Sequence, residues 1–324
     1  MDFTPPYIIR IDKEQWANEL TNEILSFENI IQQFRDYLPK EIIEEYDIEI
    51  PKDFSNILNT LEVYFIQEQR LVLRQPISEH RFRREIVITD TIEKYSNEIG
   101  VLIQQKIGEY AQITQSLDSS FPKRLFQEKT GAKNSASLKE RLNKLQEKRK
   151  KTSNYGLLKL DEDTFFKEQE IKESDAKVLS LYISDSEEKL SVFDSLVDQI
   201  EIFTKILNER RFNFKSIEID KDKGFVFKAK NDLSLNLKPT ELSSGEQHEV
   251  VLLFELLFKA KENSLVLIDE PEISLHVVWQ KAFLNDIQEI IKLRRIDVVI
   301  ATHSPQIINE RWDLTVNLKA SENE

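Results

Sequence analysis

Residues 264–272 read SLVLIDEPE, and they constrain the fold more than any other stretch. Leu265 to Ile268 form an apolar run of strand length, and such a run is buried on both faces, as strands of a parallel sheet are. It ends directly in Asp269 and Glu270. Open α/β sheets place ligands at the carboxyl ends of their strands. Adjacent carboxylates held there are costly unless something uses them. The plain alternative is an acidic pair at a surface strand end.

A second apolar run, Val298 to Ala301, leads into Thr302-His303-Ser304-Pro305. The spacing leaves room for one helix, expected at about 277–294, so the two strands should lie side by side. Before them, Ile217 and Ile219, Phe225 and Phe227, and Leu233, Leu235 and Leu237 alternate with polar residues, as antiparallel strands do. Lys223-Gly224 and Asn231-Asp232 are the expected turns. A short final strand is expected over Leu314–Leu318. The fold class is therefore α/β: a parallel sheet, antiparallel β elements and a helical insertion.

The helical part lies upstream. From Ile92 to Leu117 apolar residues recur in steps of three and four, and Leu138, Leu142 and Leu145 continue the pattern. Phe193, Leu196, Ile200, Phe203 and Leu207 repeat it. An antiparallel arm and an ordinary helical lobe fit equally, with helices too short for a long coiled coil. Three zones result: 1–88, with an early strand at Tyr7–Ile11, amphipathic helices and a strand at 61–66; 89–210, helical; and 211–324, α/β.

The third informative stretch is Leu242-Ser-Ser-Gly-Glu-Gln247, which opens a strongly apolar helix expected over 246–261. Serine side chains and free N–H groups at a helix start suit an anion. Gly245, one of only six glycines, lets a phosphate approach the backbone. Taken alone, this is a capping motif.

The order LSSGEQ, LVLIDEPE, SLH, ATHSP resembles the C-terminal half of an ABC-type ATPase head of the SMC/RecF-like branch, over about residues 240–310. LSSGEQ resembles the ABC signature, LVLIDE Walker B, PEISLH the D-loop and ATHSP the switch histidine. With SLDSSFPKRL at 116–125, the chain is also similar to bacterial AAA/RecF-like ATPases, a group that includes the ATPase of Septu-type phage-defence systems. The resemblance implies ATP and Mg²⁺ as cofactors. Asp269 would hold Mg²⁺ through water, Glu270 would be the general base, and His303 would contact the γ-phosphate region. Ser243, Ser244 and Gly245, with Glu246 and Gln247 completing the signature, would meet a nucleotide held by a second protomer, so a dimer is implied. His276 stands where transporter D-loops carry Asp. Gln69 takes the place of the Q-loop glutamine.

One element is missing from the 324 residues: G-x-x-x-x-G-K-[ST]. Thr130-Gly-Ala-Lys-Asn-Ser135 lacks both the first glycine and the ending. Three arrangements account for this: a reading frame shortened at its N-terminus, which is the favoured expectation; one half of a split ATPase completed by a P-loop-bearing partner; or a degenerate head. A nucleic-acid or effector-directed role, with a nuclease, DNA or RNA as partner, follows from the resemblance. A non-hydrolysing dimerisation scaffold is the alternative.

Composition sets the remaining bounds. No cysteine is present, which excludes disulfide frameworks, cysteine metal sites and thiol catalysis, and fits a cytoplasmic setting. No apolar run reaches the roughly 18 residues of a membrane span. The net charge of −13 disfavours general nucleic-acid binding. Two basic runs stand against it, Arg70 to Arg84 and Lys133 to Lys151. A solvated helix face is the preferred reading of both over a phosphate-contacting patch.

Overall fold

In a computed structural model the described residues are 8–10, 15–18, 24–26, 30, 60–68, 70–77, 85–127, 135–159, 173–273 and 275–316. They fall into two compact units, Met1–Leu61 with Arg74–Val87, and Glu62–Leu73 with Ile88–Glu324. The first holds an antiparallel sheet of β1 (Ile8–Arg10), β2 (Gln15–Asn18) and β3 (Ile24–Ser26). Ile8, Trp16, Leu25 and Ile30 form its small core. The amphipathic helices expected beyond Ile30 in this zone lie outside the described residues.

The second unit is built on a parallel sheet in the order β11-β10-β4, from β4 (Val63–Ile66), β10 (Leu265–Asp269) and β11 (Asp297–Ala301). The parallel α/β sheet expected from the apolar runs is thus the one observed. Its registers align Ile66 with Ile268, and Asp269 with Ala301. Strands β5 (Val72–Ile77) and β6 (Glu85–Asp90), which pair with each other, fall mostly within the first unit, while in the second β7 (Lys215–Asp220), β8 (Gly224–Ala229) and β9 (Asp232–Leu237) form an antiparallel meander. The meander matches the alternation of its sequence.

Among the described residues the helices are α1 (Thr91–Gln127), α2 (Ser135–Asn154), α3 (Glu173–Ser191), α4 (Asp194–Lys205), α5 (Ser244–Phe254), α6 (Val277–Arg294) and α7 (Pro305–Ile308). The 37 residues of α1 make one continuous helix about 55 Å long, with Pro122 inside it. This exceeds the short helices expected. It is supported because its apolar side, including Ile92, Tyr95, Ile99 and Ile103, is buried in the core. Both α4 and α5 continue into a π-helical turn, Ile206–Arg211 and Glu255–Lys259. Of the final strand expected at Leu314–Leu318, the described part, Leu314–Val316, is not a strand, and the rest lies outside the described residues: Trp312–Leu314 is a 3₁₀ turn closed by Thr315 N donating to Trp312 O. A β-branched run becomes a strand only where a partner strand takes its backbone groups, and Val316 is exposed.

The β7–β8 hairpin docks on α1 through a close backbone approach. The Ser96 hydroxyl accepts from Phe225 N at 2.8 Å and donates to Lys223 O at 3.3 Å. Gly224 sits between them at φ +73°, and a Cβ there would be driven into the Ser96 carbonyl. Gly224→Ala should therefore lower unfolding stability by at least about 2 kcal/mol. Gly108→Ala, in α1 with open space around it, should raise it by about 0.5–1 kcal/mol. Urea denaturation of the two variants checks both signs.

Candidate functional site

The strand pair β10–β11 delivers the polar residues. Glu270 N donates to Ala301 O at 2.9 Å, so the two strands end level and their loops emerge together. Glu270 is held at φ +38°, a left-handed conformation that costs a non-glycine residue about 1–3 kcal/mol. Its Oε1 lies 3.6 Å from His303 Nε2, with the two side chains 34% and 91% exposed. Asp269 makes no side-chain hydrogen bond or ion pair among the described residues, which leaves both its oxygens available at the strand end. The structure thus brings together Asp269, Glu270 and His303.

Glu272 holds the two loops in register. Its Oε1 accepts from Thr302 Oγ1 at 2.7 Å, His303 N at 2.9 Å and Ser304 N at 3.1 Å. Ser304 Oγ donates to Gln280 Oε1 at 2.8 Å, and Gln280 Nε2 donates to Leu275 O at 3.0 Å. These bonds tie the loop before α6 to the turn after β11. The sequence offered one signal for Glu272, its place in DEPE, which does not by itself reveal a clasp. His276 lies at the N-cap of α6, where its Nδ1 accepts from Val278 N at 3.3 Å.

Ser243 to Gln247 form the start of α5. Ser243 is the N-cap, and Glu246 closes a capping box on it. Burial works to raise the Glu246 carboxyl, but Lys215 and the Ser243 N–H and hydroxyl outweigh it and hold it below its ordinary value. Lys215 Nζ is 2.8 Å away. Gln247 Nε2 donates to Leu242 O at 3.0 Å. The side chains of Ser243, Glu246 and Gln247 are thus engaged within this turn or with Lys215, whereas Ser244 has no side-chain partner among the described residues. No hydrogen bond or ion pair among the described residues joins this turn to Asp269, Glu270 or His303. Gln69 lies outside the described residues.

The same unit also buries several charged side chains. Arg70 is buried, its Nε donates to Glu68 O at 3.4 Å, and its Nη2 has no partner among the described residues. Burial lowers its pKa, opposed by the charges of Glu255, Glu249, Glu68 and Asp269. Arg70 is therefore not part of a solvated basic face. Glu249 on α5 accepts from Arg211 Nε at 2.6 Å, and Arg211 pairs with Asp286 on α6. Arg210 pairs with Asp286 too, and reaches Glu289 at 3.0 Å. Nothing in the spacing of these residues along the chain signalled the cluster.

In the basic run on α2 three cations pair with acids distant in sequence, Arg141 with Glu187 at 2.5 Å, Lys148 with Asp194 at 2.6 Å, and Lys151 with Glu201 at 2.6 Å, whereas Lys139, Lys144 and Lys150 are exposed, as a solvated face expects. These contacts are structural. Among the described residues no group of three or more His, Asp or Glu could hold a metal ion by itself. Mg²⁺ needs no such cage, since it keeps several waters and takes one or two carboxylates beside substrate phosphates. Asp269, with Glu270 next to it, fits that mode.

His248, one turn into α5, is buried beside Arg70, and burial first, then the Arg70 charge, pushes its pKa from 6.5 down to about 4. The ring stays neutral in the fold through this interval, while the unfolded chain takes up a proton near 6.5. Stability should therefore fall as pH is lowered from 6.5 towards 4. Chemical denaturation of His248→Leu across the same window should show a shallower fall.

Comparison with known proteins adds the following. Residues 79–309 match the family described as "AAA domain, putative AbiEii toxin, Type IV TA system". Protein ea59 of Escherichia phage lambda is 33% identical over 116 residues, which is 36% of this chain; the match spans only 21% of that relative. Among solved structures, the Smc head domain with an extended coiled coil, bound to the C-terminal domain of ScpA, from Pyrococcus furiosus, aligns over 67% of this chain and 51% of its own, at 16% identity and a TM-score of 0.25. The match over residues 79–309 takes in well over half of the sequence, and the chain belongs to this AAA-domain family.

Proposed function

We propose that the chain is the Walker B and signature part of a Mg²⁺-dependent ATPase head of the ABC, SMC/RecF-like type, dimerising on ATP. The observation that carries this reading is the strand-end trio: Asp269 with both oxygens available, Glu270 in a left-handed conformation, and His303 Nε2 at 3.6 Å from the Glu270 carboxylate. Membership of an AAA-domain family supports nucleotide as the ligand.

In this reading Asp269 orients the waters around Mg²⁺. The metal, when bound, neutralises charge developing on the transferring phosphoryl group. Glu270 takes the proton of the attacking water, as a carboxylate within hydrogen-bond reach of a reacting group does. His303, exposed and next to Glu270, contacts the γ-phosphate. Ser243, Ser244 and Gly245 present the α5 N-terminus to a nucleotide on a second protomer. The residues that grip the phosphates come from a G-x-x-x-x-G-K-[ST] segment outside these 324 residues. The zones 1–88, 89–210 and 211–324 serve as head remnant, helical arm and C-terminal lobe. Nucleotide-driven dimerisation would move the helical region and act on nucleic acid or on an effector such as a nuclease. The setting would be phage defence of the Septu type, or DNA maintenance.

The missing phosphate loop favours one other reading, a dimerisation scaffold that does not hydrolyse ATP. Glu270→Gln separates the two. In the native assembly, an ATPase loses turnover by about 10²-fold or more, as expected for removal of a general base, while nucleotide-dependent association persists or strengthens. A scaffold shows the same behaviour with Gln as with Glu. Turnover and light scattering with and without Mg-ATP read the outcome.

A further inference from the structure

His303 is aimed by its backbone. Its ring is 91% exposed, and the 3.6 Å from Nε2 to Glu270 Oε1 is too long for a hydrogen bond. No hydrogen bond holds the ring among the described residues. The main chain around it, by contrast, is held. His303 N and Ser304 N both donate to Glu272 Oε1, as does the Thr302 hydroxyl, and Thr302 Oγ1 in turn accepts from Ser304 N at 3.0 Å. Successive N–H groups converging on one oxygen make an anion-binding turn, and a carboxylate of this same chain fills it. A second arm runs from Ser304 Oγ to Gln280 Oε1, and Gln280 Nε2 reaches back to Glu272 O at 3.4 Å. Glu272 makes no ion pair among the described residues, and its Oε2 is buried with no partner among them. Such an orphaned oxygen is costly. The carboxylate is therefore placed for this turn and not for a salt bridge.

We infer that Glu272 is a positioning residue for hydrolysis, acting through His303. It touches neither nucleotide nor metal. It fixes the main chain from Thr302 to Ser304, and so fixes where the His303 ring stands relative to Glu270. The inference rests on the nucleotide reading of the strand ends and deepens it: one segment, Asp269 to Glu272, carries the metal ligand and the base and also places the histidine on the neighbouring loop. A shift of that segment moves all three together. The charge and shape of the carboxylate both matter. A glutamine here can keep Oε1 on the three donors, but with bonds no longer charge-assisted, and its NH₂ falls where Oε2 now lies, with no acceptor to receive it.

The test is a double-mutant cycle in the native assembly, with Glu272→Gln, His303→Ala and the two combined, read by Mg-ATP turnover. Glu272→Gln is expected to lower kcat by about 10–10²-fold, as a small misplacement of a reacting group does, with KM within about threefold of the wild-type value. The combined variant should be no slower than His303→Ala alone, because a residue that acts through another adds nothing once that other is gone. Histidine-labelled NMR gives a second readout. The His303 ring signal, identified among the four histidines by its loss in His303→Ala, should be displaced in Glu272→Gln. Thr302→Ala, which removes one donor and keeps both N–H groups, replaces Glu272→Gln if that variant does not fold, with the same non-additivity expected. Losses that multiply in the combined variant, an unchanged kcat, or an undisplaced His303 signal overturns the role of Glu272 while wild-type turnover leaves the nucleotide reading standing. A wild-type assembly that turns over no Mg-ATP overturns both.

Discussion

The arrangement of the second unit depends on one buried cation. Arg211 reaches Glu249 on α5 and Asp286 on α6 from the π-helical turn that ends α4, and all three side chains are buried. Removing one partner of such a group leaves an uncompensated buried charge and costs about 3–5 kcal/mol. Three elements far apart in the chain are thereby fixed to one another. α5 begins at the Ser243 turn, and α6 begins where the loop from Asp269 ends. The geometry of both candidate regions is set from underneath, by charges that touch neither.

The strand ends are then set from above by Glu272. One carboxylate oxygen takes three donors from Thr302, His303 and Ser304, and charge-assisted bonds of this kind are stronger than neutral ones. The clasp fixes the backbone at His303 while leaving its ring exposed. It also makes a left-handed Glu270 tolerable, because residues on both sides of it are anchored, Asp269 in the sheet and Glu272 to the neighbouring turn. Strain held this way is found where a side chain must be aimed. Glu270 is aimed towards His303.

Much of this was legible in the sequence, for identifiable reasons. Leu265–Asp269 and Asp297–Ala301 were readable because a short apolar run with a polar end has few other solutions, and Phe225 and Phe227 because a period of two is unambiguous. Asp269, Glu270 and His303 were readable because the strand end fixes where they emerge. Glu272 was not, since its role arises only when β11 is placed beside β10. Arg70 was grouped with a basic run, whereas it is buried, and the charges that oppose the cost of burying it, Glu255 and Glu249, lie far along the chain. Of the α2 cations expected to be solvated, Lys139, Lys144 and Lys150 are exposed, but Arg141, Lys148 and Lys151 meet acids that arrive on α3 and α4. Leu314–Val316, the described part of the strand expected at Leu314–Leu318, had the composition of a strand, which is not enough without a neighbour to pair with.

The central claim is that the β10 strand end holds a metal–nucleotide complex. The most direct measurement is anomalous diffraction from crystals of the native assembly grown with Mn²⁺ and a non-hydrolysable ATP analogue. The account predicts a manganese peak within direct or one-water reach of the Asp269 carboxylate, with the analogue's terminal phosphate facing Glu270 and His303. A nucleotide bound elsewhere, or a manganese site that does not involve Asp269, would contradict it.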